Sequence, residues 1–528
     1  MSIQEIFTSN NISNTTPGMS QMLEPVWHFI LTILFCVFGL ILAFLIFCNI
    51  FYRLRLKRWL IIDVMRPDRP GFRLLMFDAI KGQSQKYTLK DKGGKDPRGI
   101  IIGLSGHKKF ICSPECDEGH IYVNGGTGSG KTANILIPTL RVWQGNAFVI
   151  DISGDISKKT NKYRKNKAIF CPWSRNGMPY DVYYSLRKFQ NKKLTPEIED
   201  EINDFFTKLC FTLIPDDINL GDTERYYRNG GRAMLTAALV FYYRSGWDFI
   251  PSCKEFTHLD AYALLEKINY MDCDFIKTMT SQFIGENEKN VAGCKSSANS
   301  FILLYATKGI LANHLRCAKA GEQSIYPDLI EKRDIYIIIP ERQLTDYAPL
   351  LALLTAQMMN YIEQRKTNPN SKTILMCVDE FGRLGRLNKC KDFLQTARKR
   401  KARMIALGQS VADIELNYGE KEAESMLDNF AYKVCLESNH PQTQEYFANL
   451  VGKDYEEKAT QGWGGTADTF GRLANKDYII EPASLQYLKR DGQLLYVCPD
   501  GFAILKKYKY WKDRKRYPDD YVSRGKRK

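Results

Sequence analysis

The first 52 residues contain no lysine or arginine, and the run from Phe29 to Phe51 contains no charged side chain at all. The missing positive charge argues against a cleavable signal peptide, because such peptides begin with a basic segment, and the apolar run is also too long for one. The run has 23 residues. At helical rise it spans about 35 Å, which is enough to cross a bilayer. A buried core helix is the alternative, although core helices seldom run this far without charge.

Basic residues follow the apolar run at once, beginning with Arg53. Trp27 and Tyr52 flank the run, as aromatic residues do at membrane interfaces. By the positive-inside rule, the sequence predicts an extracytoplasmic tail over residues 1–26, a transmembrane helix over 27–52 and a cytoplasmic remainder.

The 14 cysteines show no repeated pair spacing. Cys112, Cys116 and His120 resemble a metal set, but a fourth ligand is missing and the spacing matches no zinc module. We therefore interpret the cysteines as reduced core residues of a cytoplasmic protein. The 75 lysines and arginines exceed the 59 acidic residues, which gives a net charge of +16. This excess favours a polyanion or an acidic membrane surface without choosing between them.

The most informative motif is a glycine-rich loop between a predicted strand, His120–Asn124, and a predicted helix beginning at Ala133. Its glycines let backbone N–H groups turn around phosphate oxygens, while Lys131 reaches the β and γ phosphates and Thr132 offers a hydroxyl to Mg²⁺. The sequence therefore predicts binding of a nucleoside triphosphate. The loop consists of Gly125, Gly126, Thr127, Gly128, Ser129, Gly130, Lys131 and Thr132.

Apolar strands alternate with helices around this loop, which predicts an α/β fold with a mostly parallel sheet. From Thr195 to about Lys319 the period becomes helical, with Pro196 in the first helical turn and Phe205 on the apolar face of that helix. The helical pattern recurs over Thr257–Tyr270, and a later long helix is predicted from about Ala348 to Gln364. We expect two parts of a nucleotide-binding domain over 53–188 and 321–510. An all-α domain over 189–320 is inserted between them, and a basic tail covers 511–528.

The strand Thr373–Val378 ends in two carboxylates, Asp379 and Glu380. In phosphate-loop enzymes an acid at the end of a neighbouring strand holds Mg²⁺, which predicts this role for Asp379, while the adjacent Glu380 polarises the attacking water. Gln409 follows the next strand and is expected to contact the γ-phosphate or the water.

A basic run, Arg398–Arg403, lies between the acids and the glutamine. It has three interpretations. It is a solvated charged face, or one arginine reaches a neighbouring subunit's γ-phosphate, or several residues grip a phosphate backbone.

Three motifs together resemble the VirD4/TraG/TraD-type coupling proteins of type IV secretion and conjugation systems. They are Gly-Gly-Thr-Gly-Ser-Gly-Lys-Thr at 125–132, Val-Asp-Glu-Phe-Gly-Arg-Leu-Gly at 378–385 and Gly-Gln-Ser at 408–410. The stretch Ile-Asp-Ile-Ser-Gly-Asp at 150–155 departs from the family's Asp-Pro-Lys-Gly-Glu, because it has no lysine. The resemblance implies a RecA-like ATPase that uses ATP and Mg²⁺, with an inserted all-α domain, in a homo-hexamer with nucleotide between subunits. It also implies that Arg398 is the trans-acting arginine, with Arg400 and Arg403 as rivals.

The expected function is a motor in the bacterial inner membrane that admits relaxase-bound single-stranded DNA to the secretion channel, together with other type IV secretion components. Alternatives are a receptor for protein effectors and an ATP-binding docking platform that does not hydrolyse ATP. A double-strand translocase fits less well, because it normally carries several spans and a winged-helix tail.

Overall fold

The computed structural model describes residues 85–88, 99–105, 109–113, 119–174, 177–217, 220–387, 389–461, 470–499 and 501–521. The predicted transmembrane helix over 27–52 and the predicted outer tail over 1–26 lie outside these ranges. Among the described residues, no helix combines the length and the apolar character that crossing a bilayer requires.

Twelve of the described strands form one mixed sheet in the order β1-β3-β2-β14-β13-β10-β4-β9-β8-β5-β7-β6, and β11 and β12 form a separate hairpin. The strands from β10 to β6 in this order run parallel, and the others pair antiparallel. The strands are β1 Gln85–Thr88, β2 Ile100–Leu104, β3 Lys109–Ser113, β4 Ile121–Asn124, β5 Ala147–Asp151, β6 Lys167–Phe170, β7 Asp334–Ile338, β8 Ile374–Val378, β9 Ala402–Gly408, β10 Tyr432–Cys435, β11 Lys453–Gln461, β12 Phe470–Tyr478, β13 Gln493–Cys498 and β14 Gly501–Lys506.

The central parallel strands are buried along their whole length because helices cover both faces of the sheet. Every residue of β5, β8 and β9 is buried. Along β8 the side chains alternate between two cores: Met376 and Val378 belong to one, and Leu375 and Cys377 to the other. This period of two is the strand geometry. The predicted α/β fold with a mostly parallel sheet is confirmed.

The helices cover both faces of the sheet and fill the stretch between β6 and β7. They are α1 Ile137–Val142, α2 Asp155–Thr160, α3 Tyr184–Arg187, α4 Pro196–Leu213, α5 Asp222–Arg244, α6 Phe249–His258, α7 Ala261–Asn269, α8 Asp274–Thr280, α9 Glu288–Thr307, α10 Gly309–Ala312, α11 Leu344–Gln364, α12 Cys390–Thr396, α13 Val411–Tyr418, α14 Glu420–Asp428 and α15 Pro441–Val451. Short 3₁₀ turns occur at Ser281–Phe283, Pro327–Glu331, Glu341–Gln343, Phe381–Leu384, Ala397–Arg400, Pro482–Tyr487, Tyr510–Lys512 and Pro518–Asp520.

The segment expected to be helical, between β6 and β7, holds α3 to α10 with no intervening strand among its described residues. It shares one hydrophobic core with the sheet, since Phe206 and Leu239 belong to the same cluster as Ile337 and Met376. The boundaries 189 and 320 stay predictions.

Three details of the helices differ from the sequence prediction. A single helix over Thr257–Tyr270 is wrong: the chain breaks at Leu259, and Asp260 caps α7 by accepting hydrogen bonds from the N–H groups of Tyr262 and Ala263. The long helix after β7 begins at Leu344 rather than Ala348. On α4, Phe206 is fully buried, whereas Phe205, predicted for the core face, is only partly buried.

His120, just before β4, is part of the scaffold. Its Nε2 lies 3.0 Å from the Leu394 carbonyl oxygen, and its Nδ1 accepts the Met404 N–H at 3.0 Å. Burial lowers its pKa to about 4, with Arg403 adding to the effect. The neutral imidazole therefore ties β4 to β9 and α12. Cys116, its proposed neighbour in a metal set, lies outside the described residues.

The chain beyond β14 folds back onto the helix that follows the glycine loop. The Arg141 guanidinium lies 4.2 Å from the ring centroid of Tyr510 and 4.8 Å from those of Tyr163 and Tyr517. It also donates to the Asp520 carboxylate at 2.6 Å. These contacts fix residues 510–520, which include the first ten residues of the predicted basic tail over 511–528, against α1.

Candidate nucleotide-binding site

Three of the predicted motifs meet at one edge of the sheet because each follows the carboxyl end of a parallel strand. The glycine loop follows β4, Asp379 follows β8 and Gln409 follows β9, which lies between them. Asn124 pairs with Gly408, and Val378 pairs with Ala406. Ligands of open α/β sheets bind at this edge.

Side-chain contacts link the three motifs directly. The Lys131 Nζ lies 3.7 Å from a carboxylate oxygen of Glu380 and donates to the Gly125 carbonyl at 2.5 Å. The Gln409 side-chain amide donates to the other Glu380 oxygen at 2.9 Å. The acid pair thus lies next to the glycine loop, although more than two hundred residues separate them in the sequence.

The glycine loop requires glycine at specific positions. Gly128 and Gly130 have φ values of 72° and 94°, which side chains disfavour. A Cβ on Gly130 would collide with the Asn134 side chain, and one on Gly125 with the Ser129 hydroxyl. At the tip, Thr127 and Gly128 are exposed.

The first helical turn after the loop, Thr132–Leu136, is π-helical, since the Ile137 N–H donates to the Thr132 carbonyl five residues earlier. Such turns recur at functional sites. Lys131 caps this turn and is 5% exposed.

The buried Ser129 Oγ and Asn134 Oδ1 find no hydrogen-bond partner among the described residues. Buried polar atoms normally have partners. An open glycine cradle, a buried lysine and the unpaired Ser129 hydroxyl, which can donate a hydrogen bond, fit a phosphate group.

Asp379 and Glu380 differ in environment although they are adjacent. Asp379 is 7% exposed. Its pKa is raised to about 7, chiefly by burial and further by the Glu380 carboxylate, while Lys131 opposes the rise. Glu380 is left-handed, with φ 54° and ψ 51°. A non-glycine residue in that region costs roughly 1–3 kcal/mol, and such strain clusters at functional sites.

The residues present fit a magnesium ion only in combination with a phosphate. Among the described residues, no group of three or more histidines, cysteines, aspartates or glutamates could hold a metal alone. Mg²⁺ is commonly held by one or two protein groups together with substrate phosphates. The Thr132 hydroxyl and the Asp379 carboxylate would supply the protein's share.

The basic run Arg398–Arg403 leads into β9, which begins at Ala402, whereas the site follows the carboxyl end of that strand, so the run lies at the opposite edge of the sheet. Arg398 is exposed in the turn Ala397–Arg400. Arg403 is 1% exposed and donates to the Gly119 carbonyl and to the Ser113 hydroxyl. These contacts hold Arg403 inside its own chain, which favours the exposed Arg398 as the trans-acting arginine. Lys401 is also structural, since its ammonium donates to three carbonyls of the loop Asn368–Ser371.

Sequence reasoning missed three charged residues beside the glycine loop. The Lys507 ammonium donates to the Ser129 and Leu436 carbonyls. Glu437, after β10, pairs with Lys489 at 3.5 Å, and the Lys489 Nζ would lie 3.8 Å from a Cβ on Gly128. No motif marks these residues. The sequence offered one indication of Glu437: the apolar strand β10 is parallel to β4, so the residues after it reach the edge of the sheet that carries the glycine loop.

A family model described as the type IV secretion-system coupling protein DNA-binding domain matches residues 109–506. The chain belongs to this family. The predicted resemblance is therefore confirmed.

This chain is 21% identical over 451 residues to the conjugal transfer protein TraG of Agrobacterium fabrum. The match covers 82% of this chain and 64% of TraG. The chain is also 21% identical over 428 residues to the protein VirD4 of the same organism, covering 75% of this chain and 59% of VirD4. The chain thus spans less than two thirds of the length of these relatives.

Two solved structures share the fold of the coupling protein. The bacterial conjugative coupling protein TrwBdeltaN70, in an unbound form, superposes with a TM-score of 0.60 and 17% identity, covering 80% of this chain and 90% of that one. The plasmid coupling protein TrwB in complex with ADP and Mg²⁺ gives a TM-score of 0.60 and 16% identity, covering 81% and 94%.

Proposed function

We propose that this coupling protein is a membrane-anchored ATPase that recruits relaxase-bound single-stranded DNA to a type IV secretion channel and drives its translocation by ATP hydrolysis. The convergence of Lys131, Glu380 and Gln409 at one edge of the sheet carries the proposal. A receptor that only binds ATP has no need for a water-polarising acid held beside the phosphate loop.

ATP and Mg²⁺ are the proposed ligands. The open cradle of Gly126 and Gly128 and the unpaired Ser129 hydroxyl support a phosphate ligand. The fold neighbour TrwB in complex with ADP and Mg²⁺ supports the same ligands. When bound, Mg²⁺ would neutralise charge on the phosphate oxygens.

The residues have separate roles in hydrolysis. The glycine-loop amides and the Lys131 ammonium bind the phosphates, and the Thr132 hydroxyl and the Asp379 carboxylate would hold the Mg²⁺ ion. Glu380 accepts a proton from the attacking water, and the amide of Gln409 holds the Glu380 carboxylate in place at 2.9 Å. Arg398 acts on the site of a neighbouring subunit.

The DNA half of the proposal is supported by the family description, which names a DNA-binding domain, and by the net charge of +16. The relatives' names refer to conjugal transfer. We infer that the chain assembles as a homo-hexamer in the bacterial inner membrane, with the outer tail over 1–26, the span over 27–52 and the ATPase in the cytoplasm. Relaxase and other secretion components are its proposed partners.

ATPase assays of the purified full-length protein test the enzymatic half. Lys131→Ala should lower phosphate release to roughly 1% of the wild-type rate or less, because the phosphates lose their charged partner. Lys158→Ala, at an exposed position on α2, is the matched control and should retain the wild-type rate. Retained hydrolysis in Lys131→Ala would refute the site. If the wild type released no phosphate, even with enzyme and ATP at equal concentrations, the protein would be a docking platform that binds ATP without hydrolysing it.

Binding of single-stranded DNA as a function of salt tests the cargo. Phosphate contacts release counterions, so affinity should fall steeply with salt concentration, and single strands should stimulate hydrolysis. Equal binding at low and high salt would overturn the DNA half. Binding of acidic or C-terminal signal peptides to residues 189–320, without stimulation by DNA, would favour protein effectors as cargo.

A further inference from the structure

Lys507 contacts the glycine loop from the side away from the acid pair, which we call behind the loop. It follows β14, on the β10 side of β4 in the sheet, whereas the acid pair follows β8 on the other side of β4. Lys507 donates its backbone N–H to the Gly492 carbonyl at 2.9 Å. Its side chain is 7% exposed, and its ammonium donates at 3.1 Å to the carbonyls of both Ser129 and Leu436. Ser129 belongs to the glycine loop, and the Leu436 N–H donates to the Asn124 carbonyl at the end of β4. One ammonium therefore links three elements that surround the loop.

Burying the Lys507 ammonium costs more free energy than its two hydrogen bonds to carbonyl groups recover. A buried ammonium loses its hydration, and two neutral carbonyls replace only part of it. Glu437 and Cys435 act to raise the pKa of Lys507, Glu437 more strongly, and the positive charges of Lys489 and Lys509 act to lower it. Burial accordingly lowers the pKa of Lys507 to about 8. A triphosphate in the adjoining loop would supply the anion that a buried cation favours, at low dielectric.

The hydrogen bond to Ser129 also fixes the direction of one peptide group. The Ser129 carbonyl and the Gly130 N–H belong to the same planar trans peptide, so they point in opposite directions. Because the Ser129 carbonyl points to Lys507, the Gly130 N–H points away from Lys507. An ammonium bound to the carbonyl also polarises this peptide and makes its N–H a stronger donor.

We propose that Lys507 is a positioning residue of the nucleotide site: from behind the loop it orients the Ser129–Gly130 peptide toward bound phosphates and adds a second buried positive charge to their cradle. The inference rests on the proposed function, because it requires a nucleotide with at least two phosphates. It also couples the last strand of the chain to the loop between β4 and α1.

Nucleotide affinities of full-length variants test the proposal. Lys507→Met keeps the length of the side chain but removes its charge and its donors. It should weaken binding of ADP and ATP by about ten- to a hundredfold, the range of a charged hydrogen bond. Binding of adenosine should be unchanged, and KM should rise more than kcat falls. Lys506→Met, one residue earlier and exposed, is the matched control and should bind ADP and ATP like the wild type.

Two results would overturn the role of Lys507. One is unchanged ATP affinity in Lys507→Met, and the other is a loss of adenosine binding in proportion to the loss of ATP binding, since that marks general damage to the fold. Lys507→Arg keeps the charge and the donors, so its ATP affinity should be within about threefold of the wild type. If a folded Lys507→Arg protein instead loses as much ATP affinity as is expected for Lys507→Met, the proposal is also contradicted. If the wild type binds no ATP, the proposed function itself fails. If the wild type hydrolyses ATP and the ATP affinity of Lys507→Met is unchanged, only the role of Lys507 is refuted.

Discussion

At the scale of single residues, Glu380 has the most constrained position in the site. Its backbone is left-handed, and its two carboxylate oxygens face different partners, Lys131 and Gln409. A carboxylate fixed in this way is oriented before any water arrives, and orientation is a large part of general-base catalysis.

Replacing Glu380 by Gln should separate binding from hydrolysis. The amide keeps the shape of the side chain but accepts no proton. We therefore expect phosphate release to fall by about 10²- to 10⁴-fold while ATP affinity changes little. Glu341→Gln is the control, because Glu341 follows β7 at the same edge of the sheet and its side chain is 75% exposed. If Glu380→Gln hydrolysed ATP at the wild-type rate, another group would have to activate the water.

Asp379 should make the nucleotide-free protein sensitive to pH. Its pKa is about 7 in the fold against an ordinary value of 3.8, so the folded state binds more protons than the unfolded state between these values. Stability therefore falls as pH rises through this window, by at most roughly 4 kcal/mol. Urea unfolding without Mg²⁺ should show that Asp379→Asn gains stability relative to the wild type from pH 4.5 to 7.5. A difference independent of pH would contradict the assignment.

At the scale of elements, the break between α6 and α7 shows how one side chain overrides a helical pattern. The apolar spacing across Thr257–Tyr270 predicts one helix, but Asp260 offers its carboxylate to two N–H groups at 2.9 and 3.0 Å. An aspartate stabilises a helix start more than a helix interior, because its side chain competes for backbone N–H groups.

Removing this cap should destabilise the helical segment. Asp260→Ala is expected to lower the free energy of unfolding by about 1 kcal/mol. Chemical denaturation followed by circular dichroism measures the change. Asp260→Asn retains an acceptor at the same position and should lose clearly less. Equal losses in the two variants would mean that the cap does not stabilise α7.

At the scale of the whole molecule, the separation of Arg398 from the site within one chain suggests how subunits cooperate. Arg398 lies before β9, and the acid pair and the glycine loop lie beyond the far ends of the parallel strands. We propose that an arginine at that edge acts on the nucleotide of a neighbouring subunit. Its charge would then stabilise the transition state in trans.

Mixing two inactive variants tests this arrangement. Lys131→Ala subunits lack the phosphate lysine, and Arg398→Ala subunits lack the arginine. If the residues act across an interface, a mixture should regain part of the wild-type hydrolysis, because some interfaces combine an intact Lys131 with an intact Arg398. Lys399→Ala, the exposed neighbour, should be active alone. Failure of the mixture to exceed either variant, despite mixed assembly, would place the role of Arg398 within one subunit.

The glycine loop, the acid pair, Gln409 and the parallel strands that carry them could be predicted from the amino-acid sequence, because each lies on a short contiguous segment whose pattern is local. The family could be predicted from the same motifs. Tertiary structure alone decided that Arg403 is buried, that Asp260 ends a helical pattern, and that Lys507 lies behind the loop. The Lys507 contact joins residues 378 positions apart. Such contacts depend on which strands become neighbours in the sheet, and no local spacing records that order.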